Sequence, residues 1–96
     1  MLEPFTKASF DRCHGDGFRL QFEARDPIVL TLVDVASLRS PTDHREPFSL
    51  VFQGPLDLYL PQQIYHLQHH TLGPLALFLV PLGPTTDGMR YEAVFA

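Results

Sequence analysis

The sequence predicts an all-β domain: a small six-stranded, mostly antiparallel barrel or sandwich with at most one short helix. Three observations lead there. Apolar and polar residues alternate with period two in several short segments. These segments recur at roughly ten-residue spacing, separated by turn-forming Gly, Pro and Asp residues. Nine prolines are scattered along the chain and argue against long helices.

The first strand is expected over Phe18–Ala24, with Phe18, Leu20 and Phe22 facing inward and the Asp16-Gly17 turn before it. Pro27 opens the second, Ile28–Ala36, joined to the first as a hairpin. It is apolar at both parities, which means covered faces or a bulge. Residues 39–47 are polar, with two prolines and no apolar period, and read as a loop. Strand three, Phe48–Gln53, points Phe48, Leu50 and Phe52 to one side. Gly54-Pro55 ends it, and Leu56–Leu60 is a short apolar connection. Strand four is expected over Gln62–His69, with Tyr65, Leu67 and His69 inward and Ile64, His66, Gln68 and His70 outward. After a turn at Thr71–Pro74, strand five, Leu75–Leu82, is apolar on both faces. The run from Pro81 to Gly88 breaks it, Asp87-Gly88 signals a hairpin, and strand six is Met89–Phe95. The weak helix candidates are Pro4–Arg12, which Thr6 and Ser9 can cap, and Leu56–Gln63.

Composition narrows the function classes. With 96 residues the chain is expected to be one domain. It is 45% hydrophobic and 19% charged, a globular composition. Seven basic residues face eleven acidic ones, for a formal charge of −4, which disfavours a nucleic-acid binder. Cys13 is the single cysteine, so no internal disulfide forms. Met1–Phe10 lacks the apolar core of a secretion signal, and Leu75–Leu82 is too short to span a bilayer. A cytoplasmic protein without membrane association is expected.

The strings PFSLVFQGP, LPQQIYHLQH and LGPLALFLVPLGPTTDGMRYEAVF resemble a family of short uncharacterised bacterial proteins. The resemblance is close from Pro47 onward and looser before it, through Phe5 and the Phe18–Leu32 hairpin. It implies a small whole-domain protein, encoded near phage-tail-like collar or fibre genes, and assigns no chemistry.

No catalytic, cofactor or metal-binding residues are expected. His66 and His70, four apart on a strand, lie about 13 Å apart, too far to share an ion. His69 and His70, as strand neighbours, point to opposite faces. Cys13-His14 lacks an oxyanion-hole motif and reads as part of a glycine-rich turn. The buried polar residues are expected to be Tyr65, His69 and Tyr91, with Tyr65 or a backbone carbonyl as the partner of His69. Arg39, Asp43, His44, Arg45 and Glu46 are the candidate contact residues, since loops on a rigid β scaffold often carry them. The two-sided apolar strands point to association with a protein partner or with further copies of the chain. The expected function is a non-enzymatic interaction module, as an accessory part of a phage-tail-like or other assembly. The alternative is a small-molecule-binding barrel, with or without catalytic activity, with His69, Tyr65 and Tyr91 around its interior. An OB-like nucleic-acid binder with Tyr59, Tyr65 and Tyr91 as stacking platforms is a third reading, opposed by the charge.

Overall fold

The computed structural model describes residues 5–21, 27–38 and 47–95. The candidate contact residues Arg39, Asp43, His44, Arg45 and Glu46 lie outside them, as do Phe22 and Ala24 of the expected first strand. The elements are α1 (Lys7–Asp11), β1 (Gly17–Leu20), β2 (Ile28–Ser37), β3 (Phe48–Gly54), β4 (Gln63–His69), β5 (Gly73–Pro84) and β6 (Met89–Phe95). The six strands close into a barrel in the order β1-β2-β3-β6-β5-β4, with every neighbouring pair antiparallel.

This order is two three-stranded meanders, β1-β2-β3 and β4-β5-β6, joined by residues 55–62. Two seams seal them: β3 against β6 from Phe48↔Phe95 to Gly54↔Met89, and β1 against β4 at Arg19↔Gln68 and Leu20↔Leu67. Closure pairs the strand edges that an open sheet of this size would leave exposed.

The alternation read from the sequence supplies the core. Phe18, Leu20, Leu30, Leu32, Leu50, Phe52, Leu67, Leu77, Leu79 and Tyr91 are buried against one another. Their removal from water is the main force holding the strands together. The two-parity apolar strands each contain a bulge. In β2 the register shifts between Leu32 and Asp34, so Val33 is the extra residue. In β5 it shifts between Pro81 and Gly83, so Leu82 is.

That second bulge corrects the expectation that Pro81-Leu82-Gly83-Pro84 ends the strand. β5 runs through to Pro84, because the bulge takes up the irregular backbone while Pro81, Gly83 and Pro84 stay opposite Tyr91, Arg90 and Met89. β5 also changes partner along its length, from β4 at Gly73–Leu79 to β6 from Val80 onward. The Leu56–Gln63 helix candidate is not a helix. Leu58, Leu60 and Pro61 are instead held by tyrosine hydroxyls from β4 and β6.

The first helix candidate is α1, shorter than its Pro4–Arg12 span. Thr6 and Ser9 form a capping box: Ser9 N–H donates to Thr6 Oγ1 at 3.4 Å, and Thr6 N–H donates to Ser9 Oγ at 3.2 Å. The helix inserts Phe10 between Phe5, Phe48 and Phe95, with ring centroids 5.3–5.8 Å apart. Phe48 and Phe95 stack on each other at 4.6 Å, so α1 covers the barrel end where β3 begins and β6 stops.

Candidate functional site

Two features of the surface stand out: a polar corner beside the β1–β4 seam and an apolar outer face on β4, β5 and β6.

The corner begins with the turn after α1. Cys13 N–H donates to Phe10 O and Asp16 N–H to Cys13 O, and Gly15 adopts a positive φ of 90° that favours glycine. Gly15 N–H donates to Leu32 O and Leu32 N–H to Asp16 O, while His14 Nε2 bonds Val33 O at 2.8 Å. The turn is thus pinned to β2. The β1–β4 register then carries it to the other half of the barrel: Arg19 faces Gln68, so Phe18 lies level with His69. Their rings stack with centroids 4.6 Å apart.

His69 is almost wholly buried and fully hydrogen-bonded. Nδ1 accepts from the backbone N–H groups of Thr71 and Leu72, each at 3.1 Å. An Nδ1 that accepts twice leaves the ring proton on Nε2, which donates to Asp16 Oδ2 at 2.8 Å. The partners are therefore Asp16 and the following turn, not Tyr65 or a carbonyl. His70 also departs from expectation. The strand ends at His69, so the next residue does not alternate to the opposite face. The turn swings its ring beside that of His69, at 4.4 Å between centroids. His70 Nε2 stands 3.6 Å from the same Asp16 Oδ2, and its Nδ1 lies 3.0 Å from Thr71 Oγ1.

The electrostatics follow from this packing. The hydrogen bond from His69 lowers the Asp16 carboxyl below its ordinary range, against its partial desolvation, and His70 beside it adds to the lowering. Burial raises the Cys13 thiol, Asp16 adds to that, and Sγ–H donates to Ser9 O at 3.4 Å. A protonated, buried thiol is a poor nucleophile. His69 has no free lone pair with which to take a proton from it. Cys13, Asp16 and His69 therefore do not form a nucleophile–base–orienter triad, although one ligating atom from each lies within 4.8 Å of the others. Ser9, Arg12, Thr71 and Leu72 complete the walls of a pocket of about 180 Å³ around these residues and His70.

The other two expected buried polar residues belong to the scaffold. Tyr65 OH donates to Pro61 O at 2.6 Å. Tyr91 OH accepts from Leu60 N–H at 3.1 Å and donates to Leu58 O at 3.3 Å. Together they tie the 55–62 crossover to the barrel.

The outer face of the second meander carries a group of exposed hydrophobic side chains among polar ones. Ile64 and Phe78 sit opposite each other on β4 and β5, 60% and 50% exposed. Val80 faces Glu92; Phe78 precedes Val80 by two residues and Val94 follows Glu92 by two, so both extend the outer face to the same side of that pair. Val94 is 57% exposed, and Leu82 at the bulge 53%. The sequence located the apolar surplus on β5, but its pairing with Ile64 and Val94 depends on strand order.

Asp16 is the residue of the corner that the sequence reading assigned only to a turn. Its spacing from His69, 53 positions, carries no periodic signal. No curated protein and no solved structure matches the chain. None of the described helices is long and apolar enough to cross a membrane. One family does match, over residues 5–95, which takes in all six strands and α1. The chain belongs to the family described as Domain of unknown function (DUF6916).

Proposed function

We propose that the chain is a non-enzymatic protein-interaction module that associates through the outer face of β4, β5 and β6. The observation that carries this reading is the exposed group Ile64, Phe78, Leu82 and Val94 on adjacent strands. Isolated exposed hydrophobics need no explanation, but a contiguous set on a rigid sheet marks a contact surface. Covering a half-exposed Phe or Ile is worth about 1 kcal/mol each, so the group supplies a useful share of an interface. The barrel interior supports the same reading over a ligand-binding one, because Phe18, Phe52, Leu50, Leu67 and Tyr91 occupy it and roughly eight strands are needed before a barrel holds a ligand. The more specific form, an accessory part of a phage-tail-like assembly, rests on the sequence resemblance.

The test is light scattering on the purified chain together with a tagged pull-down from the native host. Wild type is expected to self-associate or to retain a stoichiometric partner. Phe78→Asp is expected to weaken that association by on the order of 100-fold, as loss of a central apolar anchor does, while its circular dichroism melt stays close to wild type. A wild-type chain that is monomeric at high concentration and retains no partner sensitive to Phe78→Asp overturns the proposal.

A further inference from the structure

We propose that Cys13, Asp16 and His70 form a binding site for a divalent transition-metal ion of the Zn²⁺ type, with His69 as the residue that positions Asp16. Thiolate, carboxylate and imidazole are the donor types that such an ion takes. In a tetrahedral site with ordinary bond lengths, two ligating atoms lie roughly 3.3–3.5 Å apart. His70 Nε2 and Asp16 Oδ2 already stand at 3.6 Å. Cys13 Sγ lies within 4.8 Å of the Asp16 carboxylate, and Cys13, Asp16 and His70 line the same pocket, so Asp16 is the ligand that the thiol and the imidazole would share.

The hydrogen bonds decide which imidazole ligates. His69 uses its Nδ1 lone pair on two backbone N–H groups and its Nε2 proton on Asp16, so it has no free lone pair. It fixes the carboxylate as an outer partner, the arrangement that orients ligands in many metal sites. His70 is free to ligate. Its Nδ1 pairs with Thr71 Oγ1, and in the tautomer that carries the proton there Nε2 offers a lone pair beside Asp16 Oδ2, on a ring that is 75% exposed. The pocket of about 180 Å³ is ample for an ion and a water as fourth ligand. Arg12 on its wall offsets part of the negative charge of the two anionic ligands. Binding exchanges the Cys13 S–H bond for a sulfur–metal bond and releases that proton to solvent. Asp16 and His70 contribute lone pairs, and nothing is oxidised or reduced.

The sequence expectation of no metal ligands rests on the strand spacing of His66 and His70, the opposite faces of His69 and His70, and the lack of metal-ligand motifs. The turn after His69 removes His70 from that strand, and the barrel seam supplies Cys13 and Asp16 instead.

The test uses the full chain stripped with a chelator and titrated with Co²⁺, then with Zn²⁺ in competition. One equivalent of Co²⁺ is expected to give a thiolate-to-metal charge-transfer band, which Zn²⁺ abolishes on displacing it. Cys13→Ser should remove the band. Asp16→Asn and His70→Ala, both at partly or largely exposed positions, should keep the fold by circular dichroism and weaken binding at least tenfold. His69→Gln should weaken it about 10–100-fold while the thiolate band persists at saturation. Absence of stoichiometric binding overturns the proposal, as does binding that is equally tight in His70→Ala or in Cys13→Ser. Loss of all binding in His69→Gln with none in His70→Ala would overturn the assignment of the ligating imidazole.

Discussion

Tyr91→Phe tests how the two meanders are tied together. The hydroxyl it removes accepts from Leu60 N–H at 3.1 Å and donates to Leu58 O at 3.3 Å. Leu60 and Tyr91 are both buried, so water cannot readily replace the lost acceptor. A buried N–H left unpaired costs about 1–3 kcal/mol. Tyr65→Phe is the matched comparison. It removes one hydrogen bond, to the carbonyl of exposed Pro61, which solvent can reach. Its cost should be about 0.5–1.5 kcal/mol, toward the lower end. For a domain of this size 1 kcal/mol corresponds to roughly 4–8 °C in Tm. Tyr91→Phe should therefore melt roughly 5–20 °C below wild type, and Tyr65→Phe only a few degrees below it. Urea unfolding followed by far-ultraviolet circular dichroism gives the same ranking independently, from midpoints at constant slope. If Tyr65→Phe costs as much as Tyr91→Phe, or Tyr91→Phe costs under about 0.5 kcal/mol, the crossover is not held by that buried pair and the reasoning fails.

Burial raises the phenol of both tyrosines above the ordinary range. Both therefore hold their protons in the folded state at a pH where the unfolded chain has lost them. Stability should be unaffected by these groups below about pH 10, the unfolded value, and should fall as pH rises beyond it. Urea midpoints at pH 8 and pH 11 should differ less in Tyr91→Phe than in wild type, and an equal loss in both would refute this. Gly88→Ala should be costly for a different reason. A Cβ there would meet Gly54 O at 2.5 Å and Gln53 Cγ at 2.7 Å, so β3 and β6 must shift. A loss of about 1–3 kcal/mol is expected, against under 0.5 for exposed Asp87→Ala, and comparable melts for the two variants would contradict the close approach.

Strand positions were legible because one face of each strand is buried and the other is wet, and burial of that kind imprints a period-two pattern. Phe18–Leu20, Phe48–Phe52 and Met89–Phe95 all keep the expected inward sets. The failures occurred where another force overrides alternation. Pro81 and Gly83 look like strand breakers, yet a bulge accommodates both. Leu56–Gln63 has helical-looking apolar content, yet its polar backbone is satisfied from neighbouring strands by tyrosines. Asp87-Gly88 reads as a hairpin turn, but Gly88 has no positive φ; glycine is needed because a Cβ there would run into the Gly54 carbonyl oxygen and the Gln53 side chain. Period two places His69 inward, but its meeting with Asp16 has no signal in the sequence, because strand order and not spacing brings the two together.

The seams themselves explain why the chemistry gathers where it does. Among the described residues, β3 and β6 pair over seven residues, whereas β1 and β4 pair over two. The β3–β6 seam carries its ladder and the stacked Phe48 and Phe95 at its end. At the described part of the β1–β4 seam side chains add to the ladder, Phe18 stacking on His69 and His69 bonding Asp16. A buried imidazole at such a place must have both nitrogens satisfied from the two strands' own turns, which draws the 13–16 and 69–72 turns together. Once these turns are adjacent, Cys13 and His70 come with them at no further cost in ordering. An ion held between those turns would bridge the β1–β4 seam. The exposed apolar group lies on the β4-β5-β6 meander and β4 also borders this seam, so one strand runs from the corner to the proposed contact surface.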